Sequence, residues 1–275
     1  MKGTDAMAGF RTRVISAAVL VAVLGLALFY GGVWLWALLL FLSEVGLFEF
    51  YRAVRKNGKK DRRVTATEFV GYIGCLIYYL VMLFSGAENH LFYTVIGILI
   101  LLMFVFVARF PEYDSDEFIR AYFGVIYVCV TLSFVYLIRT GEHGQYIVWV
   151  IFISSWICDT CAYLVGVLIG KHRLVPKLSP KKSVEGAIGG VAGASLVGYL
   201  FGTYTGMGGM SVMIISAVGA VISQFGDLTA SALKRSHDIK DYGKIIPGHG
   251  GILDRFDSVI ITSAVTYILS RLLIG

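Results

Sequence analysis

The sequence predicts an all-α polytopic membrane protein with about nine transmembrane helices, and three observations carry this prediction. Hydrophobic residues make up 57% of the 275 residues, and charged residues only 15%. Mean hydropathy is +0.77, far above the usual range of soluble proteins. Apolar stretches of about 18 or more residues recur along the chain, which is the length that a helix needs to cross a bilayer core. These stretches are continuous, whereas the strands of a membrane β-barrel alternate in short segments, so we expect helices.

Nine apolar stretches are long enough to be spans. The first is long for the hydrophobic region of a signal peptide and lacks a clear small-residue cleavage site, so we interpret it as a span. The sixth is long enough to extend beyond the membrane surface. The expected spans lie near residues 12–30, 32–49, 68–85, 91–109, 119–138, 145–170, 186–204, 209–228 and 257–274.

The distribution of Lys and Arg predicts which side of the membrane each loop occupies. With a cytoplasmic N-terminus, all of the 24 basic residues except Arg139 and Arg271 fall on the cytoplasmic side, most densely in the 50–67 loop. The opposite orientation would place nearly every positive charge outside. We therefore expect a cytoplasmic N-terminus and an external C-terminus. The polar segments 171–185 and 229–256 then share the cytoplasmic face, where nucleotides and metal ions are available.

The densest polar segment lies near the end of the chain, from Ser223 to Ser258, and reads SQFGDLTASALKRSHDIKDYGKIIPGHGGILDRFDS. Asp227 lies near the expected end of the eighth span, and on a continued helix it shares a face with Lys234. The small residues at 248–251 allow backbone amides to approach an anion closely. A solvated loop whose charges only mark the cytoplasmic face is the ordinary interpretation of such a segment. The position of its acids at span ends argues against that interpretation.

Two further acids, Asp254 and Asp257, are three residues apart near the start of the ninth expected helix. Carboxylates at a membrane-embedded helix end are costly unless they are paired. Mg²⁺ is held by a few carboxylates together with waters and substrate phosphates, and nearby basic side chains suit phosphoryl chemistry. The residues alone therefore predict a cytoplasm-facing site for Mg²⁺ and a phosphorylated substrate.

A second polar segment begins inside the sixth span. Asp159 lies within the apolar run, where an ionisable residue is a functional candidate by default. The later sequence SPKKS (179–183) is rich in basic and hydroxyl side chains and suggests anion binding. Glu185 opens the seventh span, where an acid also stabilises the positive end of the helix dipole, so capping is its simpler interpretation.

Several motifs occur together and in order in the C-terminal half. The sequence D-x-x-A-Y-x-x-G lies at 159–166, SPKKSVEG at 179–186 and SQFGD at 223–227. The pattern S-x-L-K-R-x4-K-D-x-G-x3-P-G-H-G-G-x-L-D-R-x-D-S then runs from Ser231 to Ser258. Together they resemble the motifs of the phosphatidate cytidylyltransferases, or CDP-diacylglycerol synthases. The motif-bearing resemblance covers about residues 150–260, and the N-terminal half agrees only in being a set of hydrophobic spans.

The resemblance implies that CTP and phosphatidic acid react to CDP-diacylglycerol and pyrophosphate. The lipid phosphate attacks the α-phosphorus of CTP, and because it is already an anion no protein nucleophile is required. It also implies Mg²⁺ as cofactor and a homodimer as the assembly, and it leaves open a second metal or a monovalent cation. The cytoplasmic N-terminus suggests a multi-pass protein of a bacterial inner membrane, with the active site facing the cytoplasm. We expect no nucleic-acid partner.

The resemblance also implies roles for individual residues. We expect metal ligation from Asp227, Asp254 and Asp257. The expected catalytic residues are Asp227, Lys234, Arg235, Asp254 and Arg255, of which the basic ones contact phosphates. The expected substrate-binding residues are Asp159, Lys181, Lys182, Ser183, Glu185, His249, Gly250 and Gly251. For His249, a hydrogen-bonded loop residue is the alternative, and Ser183 stands where the family commonly has Thr.

Two functional regions and two rival functions follow. We expect residues 1–150 to form about five N-terminal spans, and residues 151–275 to form the catalytic transmembrane region with cytoplasmic loops 171–185 and 229–256. An ion-coupled transporter would fit the buried acids, but they cluster at one face and no inverted repeat of broken spans is evident. A CTP-dependent lipid kinase is the second alternative. It would transfer the γ-phosphate instead of the nucleotide.

Small residues recur every fourth position at the start of the seventh span, at Gly186, Gly190, Ala194 and Gly198. Such a stripe permits close helix packing. The sequence leaves open whether the stripe is a dimer interface or an internal contact. Glu44 lies well inside the second span, and we interpret it as hydrogen-bonded within the helix bundle rather than as part of a lipid or metal cavity.

Overall fold

The computed structural model of the chain is mostly helical, with one short β-hairpin. It describes residues 2–55, 64–85, 88–248 and 250–274, without the side chains of residues 2–13 and 88. The helices are α1 (Lys2–Tyr30), α2 (Gly32–Val54), α3 (Ala66–Ser85), α4 (Glu88–Ala108), α5 (Ser115–Gly124), α6 (Thr131–Thr140), α7 (Gly144–Phe152), α8 (Cys158–Ile169), α9 (Val184–Tyr204), α10 (Gly209–Ser236) and α11 (Leu253–Leu273). Two π-helical turns, Val125–Val130 and Ile153–Ile157, make α5 continuous with α6 and α7 continuous with α8. The antiparallel hairpin consists of β1 (Arg173–Val175) and β2 (Ser179–Ser183).

Among the described residues, 8 helical stretches are long and apolar enough to cross a membrane. They coincide with the second to the ninth predicted spans, so the predicted all-α, multi-span fold is confirmed. The first predicted span lies in α1, whose apolar part, Val14–Tyr30, is shorter than these. The orientation of the termini stays a prediction, and residues 56–63 of the basic loop lie outside the described residues.

The chain forms two compact units. Unit 1 consists of Met1–Ser133 and Asp241–Arg255, and unit 2 of Phe134–Lys240 and Phe256–Gly275. Most of the polar segment after α10, residues 241–255, therefore belongs to unit 1, although α10 itself belongs to unit 2. The functional division that the sequence predicts after residue 150 stays a prediction.

Unit 1 is held by aromatic side chains that satisfy polar groups inside the helix bundle. The hydroxyl of Tyr51 on α2 donates a hydrogen bond to the backbone oxygen of Ala121 at 2.7 Å. The ring of Tyr51 fills the space beside Gly71 on α3, where a Cβ would collide with it. The hydroxyls of Ser43 and Tyr79 are 2.8 Å apart and both buried. Because lipid offers no hydrogen bonds, such internal partners are required of a membrane-embedded bundle.

Unit 2 is built on α9, which packs between α8 and α10. The small-residue stripe on α9 faces these neighbours: a Cβ on Gly190 would lie 2.8 Å from the backbone oxygen of Cys158 on α8, and one on Gly198 would lie 3.1 Å from that of Val212 on α10. Ala194 is fully buried between them. The stripe is therefore an internal packing surface within the chain, and it does not serve as evidence for a dimer interface.

Candidate functional site

Three charged side chains from separate elements of unit 2 meet at one place, which we call the acid–lysine cluster. Asp159 lies in the first turn of α8, Lys182 on β2 and Asp227 on α10. The ammonium group of Lys182 forms an ion pair with the carboxylate of Asp227, and the carboxylate of Asp159 interacts electrostatically with both. The Lys182 and Asp227 side chains are 28% and 29% exposed, and Asp159 is exposed as well. None of the three side chains is therefore enclosed by the protein.

The junction between the hairpin and α9 fixes where Lys182 lies. The next residue, Ser183, is the N-cap of α9, and its hydroxyl accepts a hydrogen bond from the backbone N–H of Gly186 at 3.1 Å. Glu185 accepts from the backbone N–H of His172 at 3.2 Å and lies 2.6 Å from its ring Nδ1. Ser183 thus caps α9, whereas Glu185 binds the chain just before β1, so its capping role stays a prediction. Their predicted substrate contacts stay predictions.

A second ionic contact of unit 2 involves Lys234 on α10 and Asp257 on α11. The Nζ of Lys234 lies 3.9 Å from Oδ2 of Asp257, and both side chains are nearly buried. The other oxygen of Asp257 accepts from the backbone N–H of Ser258 at 2.9 Å. This pair is longer and more enclosed than the Lys182–Asp227 pair, so a ligand has less access to it.

Asp254 belongs to unit 1, where it organises the segment between α10 and α11. We call the described residues 241–248 and 250–252 of this segment the α10–α11 loop. Oδ2 of Asp254 accepts from the backbone N–H groups of Tyr242 at 2.8 Å and Gly251 at 3.0 Å. The loop turns through Gly248 and Gly250, whose φ angles of 76° and 90° favour glycine. The buried carboxylate of Asp254 therefore fixes the backbone of the loop in this structure.

The remaining predicted site residues are less enclosed. Lys181, Arg235 and Arg255 are exposed, and the guanidinium of Arg235 donates to the backbone oxygen of Ile239 at 3.0 Å. Exposed basic side chains of this kind can contact a phosphate, but no contact with the acid–lysine cluster identifies them as its members. His249 lies outside the described residues.

Sequence reasoning missed Glu49, a fully enclosed acid on α2. It is 1% exposed, and its carboxylate oxygens accept from the backbone N–H groups of Ile252 and Leu253. The available signal was its place in an apolar run, which drew attention to Glu44 five residues earlier instead. Glu44 lies near the thiol of Cys75 on α3, in agreement with the interpretation of it as a bundle residue.

The acid–lysine cluster has the donor chemistry that Mg²⁺ requires. Two carboxylates, from Asp159 and Asp227, lie beside a cation, and Mg²⁺ in phosphoryl-transfer sites is held by one or two carboxylates while waters and substrate phosphates complete the octahedron. Throughout the described residues there is no group of three or more His, Cys, Asp or Glu side chains placed to hold a metal. The cluster therefore fits a metal that is bound together with a phosphorylated substrate, and the predicted metal roles of Asp254 and Asp257 stay predictions.

The fold and the cluster define the class of the molecule: a multi-span membrane protein with a charged site formed by two of its apolar helices and the β-hairpin. The chain matches the model of the Cytidylyltransferase family over residues 11–273. Because this match covers nearly the whole chain, the protein belongs to that family, which confirms the expectation from the motifs.

Three curated relatives are each named phosphatidate cytidylyltransferase. The protein from Staphylococcus saprophyticus is 39% identical over 142 residues, which are 51% of this chain and 55% of that protein. The protein from Thermotoga maritima is 38% identical over 159 residues, 55% of this chain and 58% of that protein. The protein from Staphylococcus aureus strain COL is 41% identical over 143 residues, 51% of this chain and 55% of that protein. The chain thus spans about half the length of the curated relatives it matches.

Proposed function

We propose that the protein is a phosphatidate cytidylyltransferase that converts CTP and phosphatidic acid into CDP-diacylglycerol and pyrophosphate. A phosphate oxygen of the lipid forms a bond to the α-phosphorus of CTP, and the bond from that phosphorus to the bridging oxygen of the β-phosphate breaks. Membership of the family and the names of the relatives support this proposal. The observation that carries it is the acid–lysine cluster, because a charged cluster between apolar helices and a polar hairpin suits two phosphorylated substrates, one soluble and one lipidic.

In this proposal the cluster binds and orients phosphates rather than supplying a nucleophile. Mg²⁺, held by Asp159 and Asp227, would neutralise charge on the triphosphate. Lys182 is held at the site by its ion pair with Asp227, and its three N–H donors are suited to phosphate oxygens. Lys181, Lys234, Arg235 and Arg255 are proposed as further phosphate contacts, on the strength of the resemblance.

We place one acyl chain of the lipid in an apolar groove of unit 2. The groove has a volume of about 600 Å³, within the range of ligand pockets, and its lining is almost wholly apolar. It adjoins the elements that carry the cluster: Val175 lies on β1, the partner strand of Lys182, and Leu228 directly follows Asp227. Its one polar lining residue, Gln224, already donates to the backbone oxygen of Ala187 at 3.1 Å. A hydrocarbon chain fits this lining, with its phosphate at the cluster.

The cellular arrangement in this proposal rests on the sequence. We infer that the N-terminus and the cluster face the cytoplasm, because nearly all basic residues then lie on that side, and that the membrane is the inner membrane of a bacterium. CTP would arrive from the cytoplasm, while phosphatidic acid would enter laterally from the bilayer. The homodimer is proposed from the resemblance alone, since the small-residue stripe is used within the chain.

The test follows radiolabel from CTP into lipid. Purified protein in detergent receives phosphatidic acid, Mg²⁺ and CTP labelled at either the α- or the γ-phosphate, and chloroform-extractable label is counted. We expect α-label in the lipid, dependence on Mg²⁺, and loss of transfer in Asp227→Asn. A matched control is Asp238→Asn, because Asp238 is exposed and has a φ of 56° that asparagine also accepts. Entry of γ-label would instead identify a lipid kinase, and no transfer in a folded sample would refute the proposal and make ion uptake by vesicles the next assay.

A further inference from the structure

Glu49 occupies an unusual position for an acid in an apolar helix. Its two carboxylate oxygens accept hydrogen bonds from the backbone N–H groups of Ile252 at 3.1 Å and Leu253 at 2.9 Å. Leu253 is the first residue of α11, and the first four N–H groups of a helix have no partner within the helix. A carboxylate also stabilises the positive end of the helix dipole. Glu49 therefore caps α11 from a residue more than 200 positions earlier in the chain.

The space around Glu49 explains two glycines of the α10–α11 loop. A Cβ added to Gly243 or to Gly251 would collide with the Glu49 carboxylate. Neither residue has a positive φ, so the backbone itself would tolerate any side chain. A side chain at either position would displace the Glu49 carboxylate, because that carboxylate approaches the loop backbone closely. Part of the glycine pattern in the C-terminal motif is thus complementary to an acid of the N-terminal half.

Asp254 holds the same loop from within it. Its Oδ2 accepts from the N–H groups of Tyr242 and Gly251, while Glu49 accepts from the next two N–H groups, those of Ile252 and Leu253. Three consecutive backbone amides, at 251–253, thus donate to two buried carboxylates. This arrangement fixes the backbone immediately before Asp254 and Arg255, two of the residues that the sequence predicts to be catalytic.

We propose that Glu49 is a positioning residue, whose carboxylate holds the α10–α11 loop and the first turn of α11 so that Asp254 and Arg255 are presented in one fixed arrangement. Glu49 acts through these residues and has no contact with substrate in this proposal. The positioning of the loop stands on the contacts of unit 1 alone, and its effect on turnover rests on the proposed function.

The experiment measures the loop and the reaction separately. Glu49→Gln keeps the shape of the side chain but presents an NH₂ group to one of the two backbone donors, and Glu49→Ala removes both acceptors. Hydrogen–deuterium exchange by mass spectrometry reports protection of peptides covering 241–255, with peptides of α10 as an internal reference. Initial rates with labelled CTP give kcat and KM. Gly251→Ala introduces the collision with the Glu49 carboxylate and so tests the same contact from the loop side. The matched control is Gly97→Ala, where a Cβ on α4 meets nothing within 4 Å.

We expect exchange in 241–255 to rise by about tenfold or more in Glu49→Gln and Gly251→Ala, with α10 and the melting temperature little changed. A misplacement of about 1 Å at a catalytic group can cost about 10²-fold in rate, and we expect kcat to fall by about 10- to 100-fold. Gly97→Ala should match the wild type. In a double-mutant cycle, Gly251→Ala should change loop exchange and kcat less in the Glu49→Ala background than in the wild type, since the colliding carboxylate is gone.

Three results would overturn the proposal. Unchanged loop exchange in Glu49→Gln would mean that the carboxylate does not hold the loop. Faster exchange throughout the protein, with kcat per folded molecule intact, would reduce Glu49 to a contributor to global stability. Strictly additive effects in the double-mutant cycle would mean that Glu49 and Gly251 do not interact. If the wild type transfers no label, the proposed function fails, but the exchange and the cycle in exchange rates still decide whether Glu49 positions the loop.

Discussion

Two acidic residues of unit 1 and two of unit 2 illustrate two different uses of a carboxylate. In unit 1, the carboxylates of Glu49 and Asp254 are buried and accept from backbone N–H groups. In unit 2, Asp159 and Asp227 are not enclosed by the protein, and the partner of Asp227 is the side chain of Lys182. A carboxylate bound to backbone amides determines the path of the chain. A carboxylate bound to a flexible ammonium group can exchange that partner for a metal ion or release it to a phosphate.

The largest effect is expected from Asp227→Asn, which tests the exchangeable kind of carboxylate. Removing one group that stabilises transition-state charge typically costs 10²- to 10³-fold in kcat, and we expect a loss of at least about 10²-fold. Stability should change little, because partly exposed ion pairs contribute about 0–1 kcal/mol. Label transfer measures the loss of kcat, and thermal unfolding of the same sample measures the stability. A large loss of stability at intact specific activity would mean that Asp227, like Glu49, serves the structure and not the reaction.

Asp254→Asn should affect both the reaction and the backbone of the α10–α11 loop. Asp254 is predicted to act in catalysis, yet its Oδ2 accepts two backbone hydrogen bonds. We therefore expect both a loss of activity of about 10²-fold and faster amide exchange in the α10–α11 loop, whereas Asp227→Asn should leave that exchange unchanged. Normal turnover with a loosened loop would assign Asp254 to structure alone. Lost turnover with a fully protected loop would assign it to catalysis alone.

A smaller effect is expected at the apolar groove beside the acid–lysine cluster. Ala192 on α9 lines the groove, and Ala192→Trp should fill part of it. A changed hydrocarbon contact in a pocket is worth about 1–3 kcal/mol, so we expect KM for phosphatidic acid to rise about tenfold while KM for CTP is unchanged. Leu196→Trp is the control, since Leu196 is exposed one turn further along α9 and is not part of the lining. Equal effects of the two substitutions would contradict a chain-binding groove.

The same comparison explains how far sequence reasoning reached. The spans follow from continuous hydrophobicity, and Asp227 stands out because charge is rare in such runs. The cap formed by Glu49 depends on a contact between residues 203 and 204 positions apart, for which no local pattern exists. The sequence also cannot distinguish a glycine that permits a positive φ, such as Gly250, from one that makes room for a neighbour, such as Gly251. Both appear as the same letter in one motif.

The smallest effect is expected at Ser183, which adjoins Lys182 of the acid–lysine cluster but bonds to the backbone as Glu49 does. Its hydroxyl accepts from Gly186 at 3.1 Å and caps α9, and loss of such a cap costs about 0.5–2 kcal/mol. We expect Ser183→Ala to lower the free energy of unfolding by about that amount, with kcat per folded molecule within about twofold. Ser195→Ala, on the same helix, removes a hydroxyl that only donates to the carbonyl one turn earlier, and it should be nearly neutral. If Ser183→Ala instead raises KM for CTP while stability is kept, the hydroxyl contacts substrate. A side chain that bonds to the backbone would then also bind the ligand.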